Sequence, residues 1–190
     1  MSKLLIMSLV ITEKEMTEQE YIKFEQDSEI RHEYINGKLI NMPGESVYHN
    51  EVAFNITSAM KKLLSPKGYS VYMEDVKIKL PDENKYFYPD VFVTKEHKDH
   101  NSPYICYYPE IIFEVLSDST RKYDMVDKFI NYQKFNSLQY YILAEPEKTH
   151  IIVYARNNQS DWEADVYWEK KDRISLPALG IEVLAGDFYP

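Results

Sequence analysis

The chain has 190 residues, a length that suits one domain with a substantial core. Hydrophobic residues make up 44% and charged residues 28%, which is typical of a folded globular protein and excludes an intrinsically disordered chain. The net charge of -9 argues against a protein that binds polyanions through lysine and arginine alone. It does not exclude a nucleic-acid enzyme in which bound cations offset clustered carboxylates.

Cysteine content and the N-terminal segment place further limits on the class of protein. Cys106 is the only cysteine, so one chain forms neither a disulfide nor a cysteine-based zinc site. Residues 1–11 are mostly apolar and contain one lysine, but they are followed by charged residues and have no small-residue cleavage site, so we expect a cytoplasmic protein and not a secreted one. We expect residues 1–15 to be a tail and residues 16–190 to form a single domain.

Local signals predict two helices, a hairpin and two strands in the first half of the chain. In order these are a helix over residues 17–24, a hairpin over 32–40, a helix over 47–64, and strands over 69–80 and 86–93. Thr17 and Glu20 form a capping-box pattern at the start of the first helix. The dipeptide Asn36-Gly37 is a strong hairpin signal, and Gly68 ends the second helix.

The second half of the chain is predicted to be richer in strands. The predicted elements are a strand over residues 111–116, a helix over 121–135, a strand over 139–143, a hairpin formed by 149–155 and 162–168, and a strand over 181–184. This order indicates an α+β fold in which a mixed β-sheet is flanked by helices, with added β-hairpins at both ends.

Two carboxylates stand out from this background. Glu114 interrupts an otherwise apolar run, and an unpaired carboxylate is costly to bury, so it needs a partner or a metal. Asp90 follows Pro89 beside a neighbouring predicted strand. If the strands pair in suitable register, both side chains reach one cation. Mg²⁺ suits such a pair because it takes oxygen ligands and needs only one or two protein carboxylates; Mn²⁺ is the alternative ion.

A positive group is also needed to orient the attacking water or to stabilise the developing charge. Lys128 is the candidate. Asp124 and Tyr132 lie four residues before and after it, so all three share one face of the predicted helix. We expect Asp124 to position Lys128. The simpler alternative is an exposed Asp–Lys pair of small energetic value.

Each candidate residue also has a purely structural interpretation. Asp90 is suited to capping a turn at the start of a strand, and Glu114 to a structural ion pair with a buried lysine or arginine. By pattern alone, Glu33 beside the hairpin turn is predicted to be exposed. His49, just inside the second helix, is equally well explained as a capping or surface group.

An ordered set of motifs resembles the Uma2 family of endonucleases, in the restriction-endonuclease-like PD-(D/E)xK superfamily. The set comprises residues 88–91, residues 114–120, Asp124, Lys128, Tyr132, residues 33–37, Met42-Pro43, His49 and residues 176–181. The similarity covers nearly the whole chain from Thr17 onward. It implies a restriction-endonuclease-like fold.

The resemblance also implies roles for individual residues. Asp90 and Glu114 correspond to the metal ligands, Glu33 to an accessory acid near the site, and His49 to a polar group on the first core helix. The superfamily's lysine normally lies two residues after the glutamate, where this chain has Leu116.

This departure from the superfamily pattern puts Lys128, on the following helix, in the place of the missing lysine. The expected function is a Mg²⁺-dependent endonuclease that hydrolyses phosphodiester bonds in DNA. The acidic charge and Leu116 keep open a catalytically inactive nuclease fold that binds nucleic acid or a protein partner, and a hydrolase of small phosphate esters is a third hypothesis. By analogy with other nucleases we expect a homodimer, with residues 162–168 as an edge strand.

Overall fold

The computed structural model describes residues 15–42, 44–96, 99 and 103–190, and three β-sheets with packed helices account for most of them. The helices are α1 (Glu18–Asp27), α2 (Val47–Leu64) and α3 (Phe129–Tyr132), with a π-helical segment (Tyr123–Lys128) before α3 and 3₁₀ turns at Ser65–Lys67, Pro177–Leu179 and Ala185–Phe188. The strands are β1 (His32–Ile35), β2 (Lys38–Asn41), β3 (Ser70–Met73), β4 (Lys77–Lys79), β5 (Lys85–Phe87), β6 (Val91–Thr94), β7 (Ile105–Cys106), β8 (Pro109–Val115), β9 (Tyr140–Ala144), β10 (Ile151–Arg156), β11 (Trp162–Tyr167), β12 (Arg173–Leu176) and β13 (Ile181–Leu184). The predicted α+β class is confirmed.

The strands form one large mixed sheet and two smaller sheets. The six-stranded sheet has the order β11-β10-β9-β8-β6-β3, the five-stranded sheet has the order β2-β1-β5-β4-β7, and β12 pairs with β13. In the large sheet β8 and β9 are parallel and the other pairs are antiparallel. Parallel neighbours require a crossover, and the π-helical segment with α3 supplies it. Among the described residues, no helix has the length and apolar character needed to cross a membrane.

Strong local signals determine the first elements as predicted. Thr17 and Glu20 form a capping box at the start of α1. The hydroxyl oxygen of Thr17 accepts a hydrogen bond from the backbone N–H of Glu20, and the carboxylate of Glu20 accepts one from the backbone N–H of Thr17. Asn36 and Gly37 both have positive φ, 48° and 94°, as a two-residue hairpin turn with the twist of its strands requires. The register that follows pairs His32 with Asn41 and fixes which side chains of β1 and β2 face the interior.

Two predicted strands are each divided between two sheets, so the prediction of continuous strands was wrong. Residues 69–80 form β3 in the large sheet and β4 in the five-stranded sheet, with Glu74 at φ 54° between them. Residues 86–93 form β5 and β6, again in different sheets, and the chain leaves one sheet for the other at Pro89. Proline has no N–H to continue a ladder, so the break falls there.

The predicted helix over 121–135 has a different form from the one expected. Its first part is wound with π-type turns and its α-helical part ends at Tyr132. Strand β12 was not predicted, although its partner β13 was. Residues 1–14, which include most of the predicted tail, and Pro43 lie outside the described residues.

The central strands of the large sheet, β6, β8 and β9, are buried on both faces. One face packs on α2, where Val91, Phe113 and Val115 join the core with Ile56 and Met60. The other face packs on α3 and the five-stranded sheet, with a second set of side chains that includes Phe92, Ile112, Leu116, Phe87 and Tyr132. Successive residues of β6 and β8 therefore face opposite sides of the sheet, as the pleat of a strand requires. The gap between the two sheets is where the polar residues gather.

Candidate active site

Charged side chains from four parts of the chain line one small cavity between the two sheets. Glu33 comes from β1, Asp90 precedes β6, Glu114 lies on β8, and Asp124 and Lys128 lie on the π-helical segment. The cavity has a volume of about 30 Å³, which is room for a water molecule or a small cation. π-Type turns are uncommon and often occur at functional sites, where they change the direction of side chains.

Lys128 is the electrostatic centre of this group. Its Nζ lies 3.0 Å from Glu114 Oε1, 3.1 Å from Asp124 Oδ1 and 3.4 Å from Glu33 Oε1. All four side chains are buried, with residue exposures between 2% and 6%. An ammonium group withdrawn from water to this degree needs partners of opposite charge, and the three carboxylates supply them. The alternative interpretation of Asp124 and Lys128 as an exposed pair is therefore wrong, because both side chains are buried.

Tyrosine hydroxyls and a backbone amide hold two of the carboxylates in place. Tyr132 donates a hydrogen bond from its hydroxyl to Glu114 Oε1 at 2.9 Å. Tyr123 donates to Glu33 Oε2 at 2.7 Å, and the N–H of Tyr88 donates to Glu33 Oε1 at 3.2 Å. Glu33 is buried, contrary to the exposed position predicted from the hairpin pattern. These bonds fix the direction in which each carboxylate faces.

Asp90 connects the end of β8 to helix α2. Its Oδ2 accepts the N–H of Val115 at 2.6 Å and lies 3.2 Å from His49 Nε2. The same nitrogen is 3.7 Å from Glu45 Oε2, so the imidazole lies between two carboxylates. His49 is buried and not a surface group. Burial opposes protonation of the ring, but the hydrogen bond to Asp90 and the charges of Asp90 and Glu45 raise the pKa of His49 above its usual value.

Negative charge is in excess in the cavity. Burial raises the pKa of Glu114 well above its ordinary value, and the carboxylates of Asp90, Asp124 and Glu33 raise it further, while Lys128 opposes the shift. Burial likewise raises the pKa of Glu33 and of Asp124 against the influence of Lys128. Burial disfavours the charge on Lys128, yet Glu114, Glu33 and Asp124 hold its pKa well above normal. Five carboxyl groups, those of Glu33, Glu45, Asp90, Glu114 and Asp124, line the cavity with one ammonium group and the imidazole of His49, a balance that an added cation would improve.

The donor set fits a cation that accepts few protein ligands. Within the described part of the chain, no three His, Cys, Asp or Glu side chains converge as a complete metal cage. Asp90 and Glu114 nevertheless line the same cavity and offer carboxylate oxygens. An all-oxygen set with one or two carboxylates suits Mg²⁺ or Mn²⁺, which keep several of their waters.

Several residues of the site had no signal in the sequence. Tyr123 approaches Glu33 across a separation of 90 residues, which no local pattern records. Asn41 and Tyr88 belong to short strands or their ends and resemble ordinary strand residues. Glu45 lies four residues before His49, a spacing that would have been the one available clue.

Comparisons with known proteins agree with this architecture. Residues 18–185 match a family model described as "Uma2: Putative restriction endonuclease". Two proteins of Synechocystis sp. are similar over most of their length. Slr1290 is 29% identical over 92% of this chain and 91% of its own, and sll1609 is 30% identical over 82% and 89%; both are described as uncharacterized.

A solved structure from Anabaena variabilis, described as "a putative nuclease belonging to DUF820", superposes with a TM-score of 0.74 at 19% identity. The superposition covers 91% of this chain and 97% of that one, and it shows a shared fold. The family model spans all the elements that carry the cavity, from β1 to the π-helical segment. The chain therefore belongs to the Uma2 family.

Proposed function

We propose that this protein is a Mg²⁺-dependent endonuclease that hydrolyses phosphodiester bonds in DNA. The observation that carries the proposal is the convergence of Asp90 and Glu114 in one cavity with the buried ammonium group of Lys128. Family membership and the nuclease description of the solved structure with the same fold support the assignment. The acidic net charge is compatible with it, because a bound divalent cation offsets the clustered carboxylates where substrate phosphate arrives.

Asp90 and Glu114 are the residues that would hold the metal. When bound, a divalent cation polarises the scissile phosphate and lowers the pKa of an attacking water. Asp90 also accepts the N–H of Val115, so its carboxylate is held at the end of β8 beside Glu114. His49 fixes Asp90 from the side of α2. Two carboxylates anchored by different elements give the site a defined geometry before any ligand arrives.

Lys128 supplies the positive group of the reaction. Its ammonium donates to Glu114 and carries further protons to donate to a water or a phosphate oxygen. Asp124 and Glu33 hold the ammonium at this position, so Lys128 is oriented from three sides. Leu116, at the position where the superfamily has its lysine, is buried in the apolar set against α3 and has no route to this role.

Plasmid cleavage in the presence of Mg²⁺ tests the proposal directly. We expect wild-type protein to convert supercoiled DNA to nicked or linear forms and to lose this activity on chelation. Asp90→Asn and Glu114→Gln are expected to abolish cleavage while retaining the fold. Glu110→Gln is the matched control, because Glu110 lies at the other end of β8, near Lys95. Full activity in either cavity variant would overturn the proposal, as would activity that chelation leaves unchanged.

A nuclease fold without catalysis is the second candidate. It is favoured by the three carboxylates that already neutralise Lys128 and by the apolar residue at Leu116. Under this hypothesis DNA binding persists without cleavage in any divalent metal. Testing mononucleotides beside plasmid and oligonucleotide substrates also separates an endonuclease from a hydrolase of small phosphate esters.

A further inference from the structure

A second cluster of buried polar side chains lies beside the candidate site, on the side of helix α1. Glu25, His32 and Tyr88 are each only 2% exposed, and the proposed reaction uses none of their side chains. A carboxylate withdrawn from water in this way is costly unless its oxygens are paired. The partners of Glu25 therefore indicate what this residue does.

Both oxygens of Glu25 hold other parts of the chain. Oε1 accepts a hydrogen bond from the backbone N–H of His32 at 2.9 Å and another from the hydroxyl of Tyr88 at 3.0 Å. Oε2 lies 3.0 Å from His32 Nδ1. One carboxylate on α1 thus binds both strand β1, at His32, and the segment between β5 and β6, at Tyr88.

Two further side chains hold the same residues. Tyr21, one turn before Glu25 on α1, donates from its hydroxyl to the carbonyl oxygen of His32 at 2.8 Å. Lys77 of β4 donates to the hydroxyl of Tyr88 at 3.1 Å. Burial lowers the pKa of the Lys77 ammonium group, and the charge of Glu25 opposes that shift. Glu25 therefore supports Tyr88 both directly and through Lys77.

The residues that Glu25 holds both adjoin Glu33. His32 precedes Glu33 in β1, and the N–H of Tyr88 donates to Glu33 Oε1 at 3.2 Å. The same Oε1 lies 3.4 Å from Lys128 Nζ. A shift of His32 would move the backbone of Glu33, and a shift of Tyr88 would move the donor that orients its carboxylate. A continuous series of contacts thus connects α1 with the ammonium group of the site.

We propose that Glu25 is a positioning residue that fixes Glu33 beside Lys128. It acts by holding His32 and Tyr88 and not by touching the reacting groups. The inference gives helix α1, which carries none of the proposed catalytic residues, a part in the site. Its consequence for cleavage rests on the proposed function, whereas its consequence for the position of Glu33 does not.

Amide hydrogen exchange at Tyr88, followed by NMR, reports on the bond to Glu33 without any reference to metal or activity. Glu25→Met removes both carboxylate oxygens and keeps a side chain of similar length. We expect the Tyr88 amide to exchange about tenfold faster or more in this variant. Glu25→Gln keeps an oxygen for the same two donors and should restore most of the protection.

Two control variants separate positioning from a general loss of stability. Ile174→Ala removes buried side-chain atoms in β12, on a sheet that carries none of the proposed site residues, and should cost stability alone. Glu29→Met changes an exposed residue just after α1 and should have no effect. A Tyr88 amide that is as protected in Glu25→Met as in wild type, or no less protected than in Ile174→Ala, would overturn the inference.

Cleavage kinetics give a second measurement. Because Glu33 helps to hold Lys128, Glu25→Met should lower kcat with little change in KM, and Glu25→Gln should recover most of the loss. Unchanged kcat in an active enzyme would also overturn the inference. Faster Tyr88 exchange in a protein whose wild type neither binds Mn²⁺ nor cleaves DNA would uphold the positioning of Glu33 and overturn the proposed function instead.

A milder variant keeps the test decisive if Glu25→Met does not fold. Tyr88→Phe removes only the hydroxyl that bonds to Glu25 and Lys77, and it leaves the backbone N–H that donates to Glu33. We expect the amide of residue 88 to exchange faster in this variant as well. Exchange at the wild-type rate would show that Glu25 does not hold this donor in place.

Discussion

The ammonium of Lys128 lies 3.0 Å from the carboxylate of Glu114, although the two residues are 14 positions apart and belong to different elements. The contact crosses from the central strand β8 to the π-helical segment that follows it. A structural ion pair and a catalytic lysine are therefore not exclusive descriptions of Lys128. What distinguishes this pair is the surplus of carboxylates around it, since Asp124 and Glu33 also contact the same nitrogen.

Replacing Lys128 with methionine should destabilise the protein as well as inactivate it. The change leaves Glu33, Glu114 and Asp124 buried without their cation, and breaking a buried pair in this way costs about 3–5 kcal/mol. Urea denaturation of metal-free protein at neutral pH measures the loss. Lys122→Met, at an exposed position immediately before the π-helical segment, serves as control. A loss as small as that of the control would mean that Lys128 is not the counter-ion of the cluster.

The variant Tyr123→Phe tests how much the hydroxyl group of Tyr123 contributes to holding Glu33 in place. The ring is retained, and only the hydroxyl that donates to Glu33 Oε2 at 2.7 Å is removed. Hydrogen bonds to buried charged groups contribute about 1.5–3 kcal/mol, so we expect a loss of unfolding free energy in that range. Cleavage should also slow, because Glu33 is then less well fixed beside Lys128. Tyr104→Phe, at a side chain that is mostly exposed, should change neither quantity. Equal stability of the two variants would contradict the assigned role.

Gly37→Ala tests whether the hairpin turn positions one wall of the cavity. Gly37 has φ 94°, and an added Cβ would lie 3.0 Å from the Cβ of Glu15. We expect a cost of about 1–2 kcal/mol from the left-handed backbone alone, together with weaker Mn²⁺ binding. Gly44→Ala is the comparison, because a Cβ there meets nothing within 4 Å. Unchanged melting temperature and metal binding in Gly37→Ala would show that the turn does not determine the geometry.

The ion pair of Glu145 with Arg121 predicts a pH-dependent part of the stability. The guanidinium donates to both carboxylate oxygens, at 2.5 and 2.8 Å, and these hydrogen bonds lower the pKa of Glu145. A carboxyl with a lower pKa in the folded state stabilises the protein above its unfolded pKa, and that contribution disappears as the pH falls through the folded pKa.

Glu145→Gln should therefore be less stable than wild type at pH 6, by about 1 kcal/mol because Arg121 is partly exposed and screened. The difference should shrink as the pH falls below about 4. Urea denaturation between pH 3 and pH 7 measures it, with the exposed Glu147→Gln as control. A difference that stays constant with pH would contradict the assignment.

The elements that the sequence predicted well are those governed by short-range chemistry. Thr17 and Glu20 are three residues apart, and the Asn36-Gly37 turn needs no distant partner, so local patterns suffice for both. By contrast, the strand pattern over residues 86–93 gave no indication that the chain passes from one sheet to the other at Pro89. Which sheet a short strand joins depends on tertiary neighbours and not on its own periodicity.

The site was accessible from the sequence only where a residue broke an apolar pattern. Glu114 did so, and it led to Asp90 and Lys128. Glu33 resembled an exposed strand residue because the groups that justify its burial, Tyr123 and Lys128, lie far along the chain. The assignment of metal ligands remains a prediction from the resemblance and the donor chemistry.

The division of the strand at Pro89 has a consequence for inactivation. Glu33 and Asn41 belong to the five-stranded sheet, whereas Glu114 belongs to the six-stranded sheet, so the cavity exists only while the two sheets stay in contact. Tyr132 of α3 bridges the two sheets, because its ring centroid lies 5.2 Å from that of Phe87 in the five-stranded sheet and 5.4 Å from that of Tyr141 in the six-stranded sheet. Mild heating or low urea that separates the sheets locally would disperse the carboxylates while each sheet stays intact. Loss of metal affinity is then expected to precede loss of secondary structure.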